Sequence, residues 1–107
     1  VLINGGTASA SEVVSGAIRD YNLGTLVGET SFGKGVVQVV LDDKSDNTAL
    51  KVTISKYYTP NGENIHSIGI KPHVEVEYLK DSTETQYSKD SDTQLIKAID
   101  VMKEKLN

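Results

Sequence analysis

This sequence predicts a mixed α/β domain, and three observations carry that prediction. An apolar start, Val1-Leu2-Ile3, runs into the turn residues Asn4-Gly5-Gly6 and then into a stretch with helical spacing. Two runs rich in β-branched residues, Val36–Leu41 and Ala49–Tyr58, flank a polar turn, as an antiparallel hairpin requires. The chain closes on a second helical pattern, with Leu95, Ile99, Met102 and Leu106 on one face.

The elements follow in order. Val1–Ile3 reads as a short buried strand. From about Ala8 to Tyr21 the apolar residues Val13, Val14, Ala17, Ile18 and Tyr21 mark one helix face, and Gly24 suits the left-handed cap conformation. Thr25–Gly28 is a second short strand, so the opening unit is strand–helix–strand with a parallel pairing expected. Thr30–Gly35 is a glycine-punctuated loop that leads into the hairpin. Thr59-Pro60-Asn61-Gly62 is a strong turn, because proline presets φ at its second position and glycine tolerates positive φ. Ile68–Pro72 and Val74–Val76 look extended. Ser91 and Gln94 are spaced as a capping box for a helix from about Asp92 to Leu106. The expected organisation is a partial core over 1–79, a polar linker over 80–91 and a terminal helix over 92–107.

Composition narrows the function. At 107 residues the chain is one domain's worth, with a modest core. A net charge of −4 and no basic patch remove the electrostatic drive for binding nucleic acid. The absence of cysteine removes disulfides, thiolate metal sites and thiol nucleophiles, and two scattered histidines give no metal-ligand spacing. No cofactor is implied. No apolar run approaches the ~18 residues of a transmembrane span. The opening on an apolar strand without an initiator methionine reads as a cut from a longer polypeptide, so targeting and partner segments are expected upstream.

Two residues carry the chemistry. Ser9, in Thr7-Ala8-Ser9-Ala10-Ser11-Glu12, lies between a strand and a helix and could simply cap that helix, since Ser9 and Glu12 are themselves spaced as a capping box. The same place also suits a nucleophile. A tight turn presents its side chain at a sheet end, the N–H of Ala10 points out from the positive helix terminus, and small neighbours leave room for a substrate backbone. Ser11 is the rival nucleophile by composition.

Lys34, twenty-five residues on, sits in Ser31-Phe32-Gly33-Lys34-Gly35. Gly28–Lys34 fits the pattern of a phosphate-binding loop, but Gly35 stands where a magnesium-holding Ser or Thr is needed, and a strand follows instead of a helix. The remaining alternatives are a surface lysine and a general base. A base must fall from a pKa of about 10.4 towards about 7–8, roughly 3–5 kcal/mol against the ammonium. Phe32, Val36 and Val37 are expected to supply the apolar cover, with Glu29 the acid that would defeat it.

Four ordered blocks bear a resemblance to a known family. Asn4–Glu12, Val27–Gly35 with Gln38, Lys56–Gly62 and Gly69–Pro72 resemble the carboxyl-terminal processing peptidases, or tail-specific proteases, from Val1 to about Val76. The resemblance implies a crotonase-like α/β peptidase core and a serine-type endopeptidase that hydrolyses peptide bonds near protein C-termini through a Ser-Lys dyad. It implies Ser9 as nucleophile, Lys34 as base, Gln38 as the lysine's helper and Ala10 as one oxyanion-hole amide. The second oxyanion donor belongs to an upstream loop, so the isolated chain is expected to be inactive. The implied partners are polypeptide substrates with C-terminal tails and upstream PDZ and N-terminal parts of the same protein. The implied setting is extracytoplasmic, meaning cell envelope, periplasm or secreted, with any membrane anchor in an upstream segment. His73 departs from the family pattern, which commonly has aspartate there.

Geometry qualifies two family positions. On one straight strand Lys34 and Gln38 would stand about 13 Å apart, so contact needs a bend at Gly33 or Gly35. Asp20 lies about three helical turns from Ser9, roughly 16 Å, and is assigned a structural role. A Ser-His-Asp hydrolase using His66 or His73 and a non-enzymatic ligand-binding or assembly module of the same fold are the rivals. The exposed edge at Val1–Ile3 is open to pairing with a second copy.

Overall fold

The structure is a computed structural model that describes residues 1–79 and 86–107. Among the described residues seven elements follow in order: β1 (Leu2–Ile3), α1 (Ala10–Asp20), β2 (Val27–Gly28), β3 (Val36–Asp43), β4 (Thr48–Lys56), β5 (Val74–Glu75) and α2 (Thr93–Leu106). The expected mixed α/β character and the strand–helix–strand opening are both present. β1 and β2 pair in parallel, Leu2 with Val27 and Ile3 with Gly28, and β5 adds in parallel on the other side of β2. β1 and β5 are therefore the sheet edges.

β3 and β4 form the expected hairpin as a separate two-stranded sheet. Its register slips after Val37, which pairs with Ser55 while Gln38 pairs with Thr53, leaving Ile54 as the extra residue of a bulge. Thr59–Gly62 turns as expected: Gly62 has φ 82° and its N–H donates to the Thr59 carbonyl at 2.8 Å. The Ile68–Pro72 stretch is loop, not strand, since Ser67 and Gly69 both take positive φ.

Ile3, Leu26, Ile65 and Ile70 form the buried core, with Ile18 and Tyr57 packed against it. Helix α1 turns its expected apolar face inward only in part, through Ile18. Its buried residues are Glu12, Ser15 and Gly16, while Val13, Val14 and Tyr21 are exposed. Small residues explain the choice. A Cβ at Gly16 would sit 3.3 Å from Thr59 and 3.4 Å from Ile70, so only the small face lets the helix axis come this close. At the other end of α1 the left-handed residue is Asn22 (φ 54°), not Gly24.

α2 is capped by Asp92, whose carboxylate accepts from Leu95 N at 2.9 Å, one residue later than the Ser91 box expected. Gln94 turns inward instead and donates to Val76 O (2.9 Å) and Glu29 (3.1 Å), seating the helix beside the sheet. Part of the expected 80–91 linker lies outside the described residues; of the rest, Gln86 is a bend and 89–91 a turn.

Asp20 anchors the far end of α1. Its side chain is only 1% exposed, takes Arg19 Nε at 2.8 Å and accepts from Asn61 N at 2.9 Å. Arg19 also reaches Glu63 at 2.6 Å, so the Thr59–Glu63 turn is tied to the helix. Burial pushes the Asp20 carboxyl up, but the Thr59 hydroxyl, the Asn61 N–H and Arg19 together hold it below the ordinary aspartate range. Asp20→Ala would leave the Arg19 guanidinium and the Asn61 N–H without this partner. Urea unfolding should then show a loss of about 2–4 kcal/mol. A loss under about 1 kcal/mol would contradict the anchoring role.

Candidate active site

Ser9 takes a backbone conformation that side chains seldom adopt, φ 55° and ψ −116°. Such a residue costs of order 1–3 kcal/mol and persists only where its surroundings over-determine it. Those surroundings are visible. The turn before it is closed by Thr7 N to Asn4 O (2.8 Å), Asn4 N to Thr7 Oγ1 (3.1 Å) and Gly6 N to Asn4 Oδ1 (2.9 Å). Phe32 N then donates to Thr7 O at 2.9 Å, pinning the turn to the glycine-rich loop.

The strongest tie runs through Glu12. This carboxylate is fully buried and accepts four hydrogen bonds. Oε1 takes the Ser31 hydroxyl (2.6 Å) and Gly33 N (2.7 Å). Oε2 takes Ser9 N (2.9 Å) and Lys34 N (2.8 Å). One oxygen therefore brings the main chains of Ser9 and Lys34 within hydrogen-bond reach of the same point. Ser31 passes the constraint to the core, because its Oγ also accepts from Ile70 N at 2.7 Å. Sequence reading gave Glu12 only the capping-box role. The available signal was an acid among small residues opposite a Ser-x-Gly-Lys loop whose N–H groups have no strand partner.

Gly33 and Gly35 serve close approach. A Cβ at Gly33 (φ 88°) would lie 2.8 Å from Gly69 N, and one at Gly35 2.8 Å from His66 N. The loop is thereby pressed onto the 65–69 segment, and Lys34 is the residue between the two contacts. The glycines were expected to bend the strand so that Gln38 could meet Lys34. Instead Gln38 sits on the hairpin with its amide donating to Thr53 Oγ1 at 3.1 Å.

The lysine's setting differs in part from expectation. Lys34 is half-buried, but Phe32 is 65% and Val37 46% exposed, so of the three expected apolar neighbours only Val36 is buried. Glu29 does not interfere, since it accepts from Gln94. Among the described residues Lys34 Nζ forms no ion pair, and no hydrogen bond joins it to Ser9 Oγ. The Ser9 hydroxyl instead stands beside the Tyr57 phenol and favours its ionised form.

The N–H of Ala10, first residue of α1, donates to nothing among the described residues and is exposed at the positive helix end. Ser11 is exposed one residue further on and offers its carbonyl to Ser15 Oγ at 2.7 Å. His73 is occupied elsewhere: its Nδ1 accepts from Leu26 N at 2.9 Å, continuing the pairing of β2. His66 is exposed, with its N–H on Asn64. No group of three His, Asp or Glu among the described residues is placed to hold a metal.

Burial pushes the Glu12 carboxyl up, but the Ser31 hydroxyl and the N–H groups of Lys34, Gly33 and Ser9 outweigh it and hold it below the ordinary value of 4.5. A depressed folded value stabilises above the unfolded one and is lost as pH falls through the folded one. Stability should therefore decline on acidification below pH 4.5. Glu12→Gln should cost about 2–5 kcal/mol at neutral pH, because an amide opposes N–H donors with N–H, and should flatten that acid decline. Denaturant unfolding at several pH values checks both, and an unchanged acid limb in the variant would contradict the assignment.

Comparison with known proteins agrees with this architecture. The family model described as peptidase family S41 matches residues 1–76. A carboxy-terminal-processing protease of Bartonella bacilliformis is 52% identical over 77 residues, 72% of this chain and 18% of that protein. A chloroplastic C-terminal processing peptidase of Tetradesmus obliquus is 48% identical over 77 residues, 72% of this chain and 16% of its own length. The chain thus spans less than a fifth of these relatives. Among solved structures, a photosystem II D1 C-terminal processing protease superposes with a TM-score of 0.64 at 48% identity, covering 72% of this chain and 20% of that one. The tricorn protease superposes with a TM-score of 0.75 at 26% identity over 98% of this chain and 10% of its own. With its serine turn, glycine-flanked lysine and bridging glutamate inside the matched region, the chain belongs to peptidase family S41.

Proposed function

We propose that this chain carries the nucleophile and general base of a serine endopeptidase that cleaves peptide bonds near protein C-termini. The observation that carries the reading is the shared carboxylate. Glu12 Oε2 holds Ser9, strained and beside an unbonded Ala10 N–H, to the backbone of Lys34. Strain at a serine on a strand-to-helix turn is what exposing a nucleophile requires. The names of the relatives supply the substrate class, polypeptide tails.

In the proposed mechanism the Ser9 hydroxyl gives its proton to Lys34 Nζ, the base, as Oγ attacks the scissile carbonyl. The Ala10 N–H donates to the developing oxyanion. The protonated lysine gives that proton to the leaving amine, and Lys34 then deprotonates the water that attacks the acyl-enzyme and returns the proton to Ser9 Oγ as the ester bond breaks. Gln38 is proposed to steady Lys34 once its amide leaves Thr53. The fold is read as part of a crotonase-like core, 1–79, followed by the 80–91 connection and α2. A second oxyanion donor and any PDZ domain would come from other parts of a longer protein, and the setting is read as extracytoplasmic. No helix of the described residues is long and apolar enough to cross a membrane.

The test is peptide cleavage by the longer protein bearing this sequence. Ser9→Ala and Lys34→Ala should each lower kcat by roughly 10²–10⁴-fold with little change in KM. Near-wild-type turnover in either variant would sink the assignment, and saturable peptide binding without turnover by the unmodified protein would favour a binding module. The isolated 107 residues should show no Ser9-dependent cleavage. Turnover by them would overturn the need for an external oxyanion donor.

A further inference from the structure

Lys34 is held from both sides of its Cα. Glu12 takes its N–H, and the phenol of Tyr57 donates to its carbonyl. Glu12 also takes the main-chain N–H of Ser9, and the Tyr57 phenol stands beside the Ser9 hydroxyl. We infer that Tyr57 is a positioning residue of the Ser9–Lys34 pair, its phenol joining the nucleophile's hydroxyl to the peptide group of the base. The inference rests on the peptidase reading above and adds a residue to it.

The geometry supports a fixed placement. The Tyr57 ring packs against the core, and its own N–H donates to Gly35 O at 3.0 Å. Its backbone thus grips the residue after Lys34 while its side chain reaches back over Lys34 itself. The two peptide groups that flank the Lys34 Cα are each bonded, so the direction of its Cα–Cβ bond is set. Having given its proton to the Lys34 carbonyl, the phenol oxygen is left to accept from Ser9. That contact holds the serine rotamer in the resting state. Burial and the negative charge of Glu12 push the phenol up, with Ser9 pulling it partly back, so it stays a donor at neutral pH.

Tyr57→Phe removes the oxygen and keeps the ring. In the longer protein it should lower kcat for peptide cleavage by at least about 10-fold, leave KM within about 2-fold and leave the melting temperature nearly unchanged. Tyr21→Phe, an exposed phenol at the far end of α1, should leave kcat unaltered. A kcat for Tyr57→Phe within 2-fold of wild type, or above it, overturns the inference. If the phenylalanine variant does not fold, 3,5-difluorotyrosine at position 57 decides, because its phenol ionises at lower pH and stops donating. Activity should then fall on the alkaline side at a lower pH than in wild type, and a superimposable profile overturns the inference. Ser9→Ala run in parallel separates the two levels. Inactive Ser9→Ala with normal Tyr57→Phe rejects only the role of Tyr57, whereas active Ser9→Ala rejects the peptidase reading.

Discussion

A carboxylate without water must find donors, and the Glu12 side chain finds four of them on two separated stretches of chain. The rest of the site follows from that need. Helix α1 cannot roll its apolar stripe inward without taking Glu12 away from Ser31, Gly33 and Lys34. The glycine loop cannot form a strand at Gly33 and Lys34, because their N–H groups already point at the carboxylate. Ser9 is kept in its strained conformation partly by the same oxygen that holds Lys34. The helix terminus contributes too, since a negative charge in the first turn is favoured there.

Much of the fold was legible because local chemistry decides it. Alternation and β-branching placed the hairpin, Pro60 and Gly62 placed a turn, and the glycines after Ile3 separated a strand from a helix. Where the reading failed, a tertiary contact overrode a local pattern. Val13, Val14 and Tyr21 have helical spacing, yet Ser15 and Gly16 face inward because Thr59 and Ile70 come too close for anything larger. Gln94 looked like a capping partner but satisfies Val76 O and Glu29 across the interior. Asp92 takes the cap in place of Ser91, its carboxylate accepting from Leu95 N.

The candidate site divides along the same line. Ser9, Ala10 and Lys34 stand out in sequence because turn, helix start and flanking glycines are local signals. Glu12 and Tyr57 do not, because their importance comes from what they touch: backbone groups more than twenty residues away in sequence. Gln38 sits on the hairpin with its amide on Thr53, so its link to the lysine is the part of the reading that geometry supports least. Exposed apolar residues on α1 and on the hairpin accord with a chain that spans less than a fifth of its relatives.

The ionisation of Glu12 tests the central claim most directly. A ¹³C-labelled Glu12 carboxyl followed by NMR across acidic pH reports whether four donors outweigh burial. The account predicts a midpoint below 4.5 and a fully ionised group at neutral pH. A midpoint at or above 4.5 would contradict it, because donors that bind the charged form and outweigh burial must bring the ionisation below the ordinary value.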